Sequence, residues 1–153
     1  TISLEDLQLR LTELDQSTPD RRYSVHNLEL LKDQEVISFL EKQPEVIQKK
    51  YYNFLSFTEF HVGQVEACDF KDQEQALKHF KQALIAFEQG EVDADYRQEW
   101  GTYIKGTIAY LENDVESLTK YQSLIADKQN GKVLLRLKEG LEKRGTPNYS
   151  TDY

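Results

Sequence analysis

Apolar residues recur every three to four positions along most of the chain, which is the spacing of one face of an α-helix. The most regular stretch runs from Ala76 to Phe87, where apolar side chains fill one helical face and polar side chains fill the other. The sequence lacks the alternating runs of β-branched residues that are typical of β-strands. The pattern therefore predicts an all-α protein.

Capping residues and helix breakers divide this pattern into elements. Two N-terminal helices are predicted over residues 4–42. The first of them starts at a variant of the capping box, formed by Ser3 and Asp6. Ser24 can cap the second helix, and Asp33 can break it in two.

The rest of the chain divides into two helical hairpins, a last helix and a tail. The predicted elements are a first hairpin over residues 44–88, a second hairpin over 96–127, a capping helix over 131–144 and a flexible polar tail over 146–153. Pro44 fits the first turn of a helix, where its missing N–H costs nothing. Residues 1–145 are thus predicted to form a single all-helical domain, which is long enough to bury a core.

The two hairpins repeat each other at a separation of 42 residues. This register pairs Gln64 with Gly106, Ala67 with Ala109, Asp72 with Asp114, Ala76 with Leu118, and Ala83 with Ile125. Small residues let two helices approach closely, and each Asp can cap the second helix of its hairpin after a short turn. The register therefore predicts two hairpins of similar build.

Over residues 57–126 the chain resembles the tetratricopeptide repeat (TPR). The best match is the segment Ala76-x-x-x-Phe80-x-x-Ala83. The second hairpin matches through Gly106, Ala109, Asn113-Asp114, Leu118, Tyr121 and Ile125. Its period is longer than is usual in the family, and Lys105 and Gln122 stand at normally apolar or aromatic positions. The resemblance implies hairpins stacked as a short right-handed superhelix between N- and C-terminal capping helices, whereas a generic antiparallel bundle would use the same amphipathic pattern.

In that family the first helix of each hairpin lines an inner groove. The corresponding positions here are Thr58, His61, Val65, Trp100, Tyr103, Thr107 and Tyr110. Trp and Tyr suit the capture of a peptide, because each combines a large apolar face with a polar tip. The alternative is that Trp100 and Tyr103 pack in the core against the preceding hairpin.

Composition narrows the choice of partner. The net charge is −8, which repels phosphate backbones and makes nucleic acid an unsuitable partner. The negative charge lies before the last helix, because residues 131–144 hold five cations and two carboxylates. No apolar run approaches the ~20 residues that a membrane-spanning helix needs. We therefore expect a partner that is a protein or a peptide.

Candidate chemistry is sparse. With Cys68 as its only cysteine the chain can form no intrachain disulfide, which favours a reducing, cytoplasmic setting. His26, His61 and His79 are scattered, so the sequence predicts no metal site, no cofactor and no catalytic residues. An enzymatic alternative would rest on Cys68 and His61 alone, seven residues apart on one helical side.

Two functions follow from these observations. The first is a non-enzymatic protein- or peptide-binding module, of an adaptor or chaperone-like kind, that uses an aromatic groove. The alternative is an acidic inhibitor or immunity-type protein that neutralises a basic partner protein. Neither function specifies an oligomeric state.

Overall fold

The structure is a computed structural model that describes residues 3, 5, 6, 9, 21–91 and 94–153, and every regular element in these ranges is a helix. The prediction of an all-α protein is confirmed. The helices are α1 (Arg21–Leu31), α2 (Gln34–Leu40), α3 (Glu45–Cys68), α4 (Gln73–Gln89), α5 (Ala94–Leu111), α6 (Val115–Leu124), α7 (Gln129–Arg144) and α8 (Tyr149–Asp152). In the described ranges, no helix combines the length and the apolar character needed to cross a membrane.

Local capping signals explain where the N-terminal helices begin and end. The Ser3 hydroxyl accepts the N–H of Asp6 at 3.1 Å and the Asp6 carboxylate accepts the N–H of Ser3 at 3.5 Å, as in a capping box. Most of the first predicted helix lies outside the described residues. Asp33 breaks the next segment as predicted, because its carboxylate accepts the N–H of Glu35 and caps α2. The prediction for Ser24 is wrong, since α1 already begins at Arg21.

The two hairpins turn in the same way. Asp72 caps α4 and Asp114 caps α6, each by accepting a backbone N–H three residues further on at 3.1 Å. The residue before each cap is left-handed, with φ of 54° at Lys71 and 58° at Asn113. These turns therefore repeat at the separation of 42 residues that the sequence predicts.

Replacing the left-handed Lys71 in the first of these turns should stabilise the fold. A Lys at positive φ is strained by its Cβ, whereas Gly is not, so Lys71→Gly should raise the free energy of unfolding by about 0.5–1 kcal/mol. Lys71→Ala is the control, because it also removes the ammonium contact to Ser150 at 3.2 Å but keeps the Cβ. Urea unfolding measures both variants, and equal stability of the Gly and Ala variants would contradict the prediction.

Helices pack mainly on their neighbours along the chain. α3 packs on α4, α4 on α5, α5 on α6, and α7 on both α5 and α6. Close approaches need glycine, because a Cβ at Gly63 would lie 2.7 Å from the Phe80 ring and one at Gly106 would lie 2.6 Å from the Leu134 side chain. The close contact that Gly106 permits is thus with α7, and not with α6, the second helix of its own hairpin. A smaller cluster holds α1 and α2 on α3, where the Tyr51 hydroxyl donates to the carbonyl of Leu31 at 2.8 Å.

The prediction of a flexible tail over residues 146–153 is wrong. This segment, which we call the C-terminal strap, contains α8, and Tyr149 is completely buried. Asn148 caps α8, and the Tyr110 hydroxyl accepts the N–H of Asn148 while donating to the Asp152 carboxylate. Arg144 also pairs with Asp152. The buried Tyr149 ring and these polar contacts hold the strap on the helices, although most residues of the strap are polar.

Candidate binding cleft between α3 and α5

A cleft of about 260 Å³ opens between α3 and α5. Its apolar walls are the rings of Phe57, Phe60, Trp100, Tyr103 and Tyr153. Its polar lining consists of His61, Gln64, Glu99 and Asn130. The cleft therefore combines several aromatic surfaces with a carboxylate, two amides and an imidazole.

The predicted groove residues divide into two groups. His61, Trp100 and Tyr103 line the cleft. The others are buried elsewhere, which corrects their expected position in an open groove: Thr58, Val65, Thr107 and Tyr110. They lie on α3 and α5 as expected, but their side chains are buried, and the C-terminal strap covers Tyr110 through Asn148 and Asp152.

Trp100 and Tyr103 belong mainly to the core. They are 7% and 4% exposed, so the core alternative holds for most of their surface. Their neighbours include the aromatic rings of α3: the Phe60 ring lies 4.9 Å from Trp100 and 5.1 Å from Tyr103. The Trp100 indole N–H donates to Ser56 Oγ at 3.1 Å, and that hydroxyl donates to the Ala83 carbonyl at 2.8 Å. This buried chain of hydrogen bonds fixes the indole at the cleft wall.

Phe57 is the ring that the sequence pattern misplaces. The aromatic residues that the sequence places along α3 are Tyr51, Tyr52, Phe54, Phe57 and Phe60. An aromatic stripe at helical spacing predicts mostly core residues, yet Phe57 is 40% exposed. It stacks on Trp100 at 4.6 Å with an interplanar angle of 15°, and on His61 at 5.3 Å. The available signal was its spacing of four residues from His61, which places both rings on one edge of the helix.

Glu99 is a second cleft residue that no sequence pattern indicates. It is half-buried where it lines the cleft, and no cation pairs with it among the side chains that the structure describes. Asn130 and Tyr153 approach from the start of α7 and from the strap. Three separate segments therefore complete a site that periodicity on one helix cannot reveal.

Two buried tyrosine hydroxyls lie at the cleft, that of Tyr103 in its wall and that of Tyr149 in the strap, and both stay protonated. Burial raises the pKa of Tyr103 and of Tyr149 above the usual range. The Tyr149 hydroxyl accepts a hydrogen bond from the Gln64 amide at 3.1 Å, and the Tyr149 ring stacks on Tyr153 at 5.1 Å. The strap thus supplies one side of the cleft through the Tyr153 ring, which packs on Tyr149.

A second polar cluster lies under the N-terminal helices, apart from the cleft. Glu59 is 1% exposed and contacts Lys32 Nζ at 2.5 Å and His79 Nδ1 at 2.7 Å. Burial raises the pKa of this carboxyl, but the hydrogen bonds from His79 and Lys32 outweigh burial and hold the pKa below its usual value. The cluster joins α3, α4 and the end of α1.

The Glu59 cluster predicts a loss of stability in acid. A carboxyl whose folded pKa is lowered stabilises the fold above the ordinary Glu pKa, and this contribution disappears as the pH falls through the folded pKa. Glu59→Gln should therefore cost about 1–3 kcal/mol at neutral pH and almost nothing in acid below the folded pKa. Glu45→Gln is the control, because that Glu forms only an exposed pair with Lys49. Urea unfolding at neutral pH and in acid measures both variants. Equal losses of unfolding free energy for Glu59→Gln and Glu45→Gln at neutral pH would refute the prediction.

Other chemistry is limited in the described part of the chain. No group of three or more His, Cys, Asp or Glu residues there could hold a metal ion. Cys68 is half-buried and packs against the core. No family model, curated protein or solved structure matches this chain. The resemblance to tetratricopeptide repeats thus stays a prediction from the sequence.

Proposed function

We propose that this protein is a non-enzymatic protein- or peptide-binding module, adaptor or chaperone-like in kind, and that its binding site is the α3–α5 cleft. The observation that carries the proposal is Phe57, a large ring 40% exposed and stacked on the anchored Trp100. An exposed aromatic ring that is already held in place loses little side-chain entropy when a partner covers it. Such rings are common anchors of protein interfaces.

The size of the cleft supports a side-chain anchor. Pockets for drug-sized ligands and cofactors usually measure about 300–1,000 Å³. At about 260 Å³ this cleft suits one protruding side chain of a larger partner. The proposal also places the protein in the cytoplasm, since its only cysteine can form no intrachain disulfide.

The packing order supports a stack of TPR-like hairpins within this proposal. Each hairpin packs on the next through adjacent helices, and the two turns share a capped, left-handed geometry. Terminal helices are needed to cover the open ends of such a stack. In our proposal α1 and α2 cap one end, α7 caps the other, and the hairpins form a right-handed superhelix.

Phe57→Ala provides the test of the cleft. Twelve-residue peptides selected from a random display library for binding to the wild type should lose at least about tenfold in affinity on this variant, because an interface anchor is worth about 2 kcal/mol. Phe70→Ala should leave their affinity unchanged, since Phe70 is 69% exposed in the turn after α3 and does not line the cleft. Near-ultraviolet circular dichroism checks that both variants fold. The proposal fails if the selected peptides bind Phe57→Ala as tightly as the wild type.

The acidic inhibitor or immunity-type function is the second candidate, and the net charge of −8 favours it. Attraction between exposed charges is screened beyond about 8 Å at 0.15 M salt. An inhibitor that works by charge would therefore lose affinity for a basic protein steeply as salt rises, and Phe57→Ala would not weaken it. A peptide that depends on the cleft would instead be weakened by Phe57→Ala.

A further inference from the structure

Resting on the proposed function, we infer that the cleft accepts the cationic side chain of a lysine or arginine from a basic protein segment. The aromatic walls carry the first part of the inference. Phe57 and Trp100 lie nearly parallel at 4.6 Å, and Tyr103 stands beside Trp100 with ring centroids 5.9 Å apart. Stacking covers the facing sides of Phe57 and Trp100, so the rings of the cleft that reach solvent are Phe57, 40% exposed, and Tyr153, 38% exposed. Aromatic surfaces attract cations through their electron-rich faces.

Glu99 carries the second part. Among the described residues that line the cleft it is the only one with a carboxylate side chain, and neither lysine nor arginine lines the cleft there. Its half-buried side chain has lost part of its hydration and pairs with no described cation. Arg136 lies beside the strap, where it donates to the carbonyl of Tyr153 at 3.2 Å, but it does not pair with Glu99. An incoming ammonium or guanidinium would supply the counter-charge that Glu99 lacks.

The volume of the cleft and the net charge of the protein both suit a lysine or arginine side chain. Lys and Arg have long apolar stems that can lie along ring edges while their charged ends reach a carboxylate. A volume of about 260 Å³ accommodates one such side chain. The net charge of −8 would draw a basic segment toward the protein and repel an acidic one.

Two matched peptides test the inference. The first is Gly-Ser-Arg-Gly-Ser-Arg-Gly-Ser, and the second carries citrulline, a neutral analogue of almost the same shape, at both arginine positions. Trp100 is the only tryptophan, so its fluorescence reports binding at the cleft directly. At about 0.15 M salt, which screens diffuse attraction, the arginine peptide should bind at least about fivefold more tightly than the citrulline peptide.

Charge variants separate the cleft from the general acidity of the protein. Glu99→Gln should weaken the arginine peptide about fivefold and leave the citrulline peptide unchanged. Glu116→Gln removes the same charge from the exposed first turn of α6, which does not line the cleft, and should change neither affinity.

Three results would overturn the inference: equal affinity for both peptides, equal weakening by Glu99→Gln and Glu116→Gln, or no fluorescence change with either peptide. If both peptides bind equally and Phe57→Ala weakens both, the binding cleft stands and only its preference for cations falls. If the peptides selected from the display library also ignore Phe57→Ala, the proposed function falls with it.

Discussion

Replacing Tyr149 with alanine should lower the free energy of unfolding by about 3–5 kcal/mol, the usual cost of removing a buried aromatic side chain. The Tyr149 ring has no exposed surface and lies 5.8 Å from Phe80 and 6.2 Å from Tyr110. Its loss would leave a cavity among α3, α4 and α5, and it would deprive the Gln64 amide of its partner. Urea unfolding followed by far-ultraviolet circular dichroism measures the change.

Tyr149→Phe is the matched control. It keeps the ring and removes only the hydroxyl that accepts from Gln64, so it should cost about 1–2 kcal/mol. A freely moving tail would give changes below about 0.5 kcal/mol for both variants, as surface substitutions do. Such a result would show that the strap does not belong to the core.

Gly131→Ala should cost about 3 kcal/mol, at the upper end of the range for overpacking. A Cβ at this position would lie 1.7 Å from the carbonyl oxygen and 2.5 Å from the carbonyl carbon of Ile125. Both are backbone atoms, so no side-chain rotation relieves the clash and the start of α7 must move away from α6. The cost would appear even though Ala favours a helix over Gly by about 1 kcal/mol.

Gly140→Ala separates this clash from the general effect of a glycine in α7. Its Cβ would meet the carboxylate of Asp152 at 2.1 Å, the end of a side chain that can turn away. The Asp152 side chain is 6% exposed and would lose its contacts to Tyr110 and Arg144, a loss that the gain in helix propensity offsets only in part. Stability should therefore fall by about 1 kcal/mol, less than for Gly131→Ala. Equal melting of the two variants would contradict the clash at Gly131.

Local chemistry made much of the fold predictable. Asp33, Asp72 and Asp114 cap helices where the sequence places them, because a cap needs only a short polar side chain and the N–H groups just after it. Ser24 failed for a related reason, since a capping residue inside a longer helical pattern does not by itself stop the helix upstream. Gly145 ends α7 at a φ of 77°, as a glycine after a last turn predicts.

The site was harder to predict because long-range packing decides it. The resemblance named Trp100 and Tyr103 as groove residues and both line the cleft, but it could not show that the strap covers Tyr110 further along the same helix. Glu99 carried no local signal, because a carboxylate near the start of a helix is common. Its place in the cleft depends on aromatic rings from other segments.

The strap also sets the order in which the protein can fold during synthesis. The Tyr149 hydroxyl meets Gln64, which lies 85 residues earlier in the sequence, and the Asn148 N–H meets Tyr110, 38 residues earlier. Contacts of such long range form late and slow the search for the native state. While the strap is still inside the ribosome, a nascent chain holds the buried faces of Phe80 and Tyr110 open to water. Exposed apolar surface of this kind favours aggregation, so the interval before the strap docks is when this chain is most exposed to it.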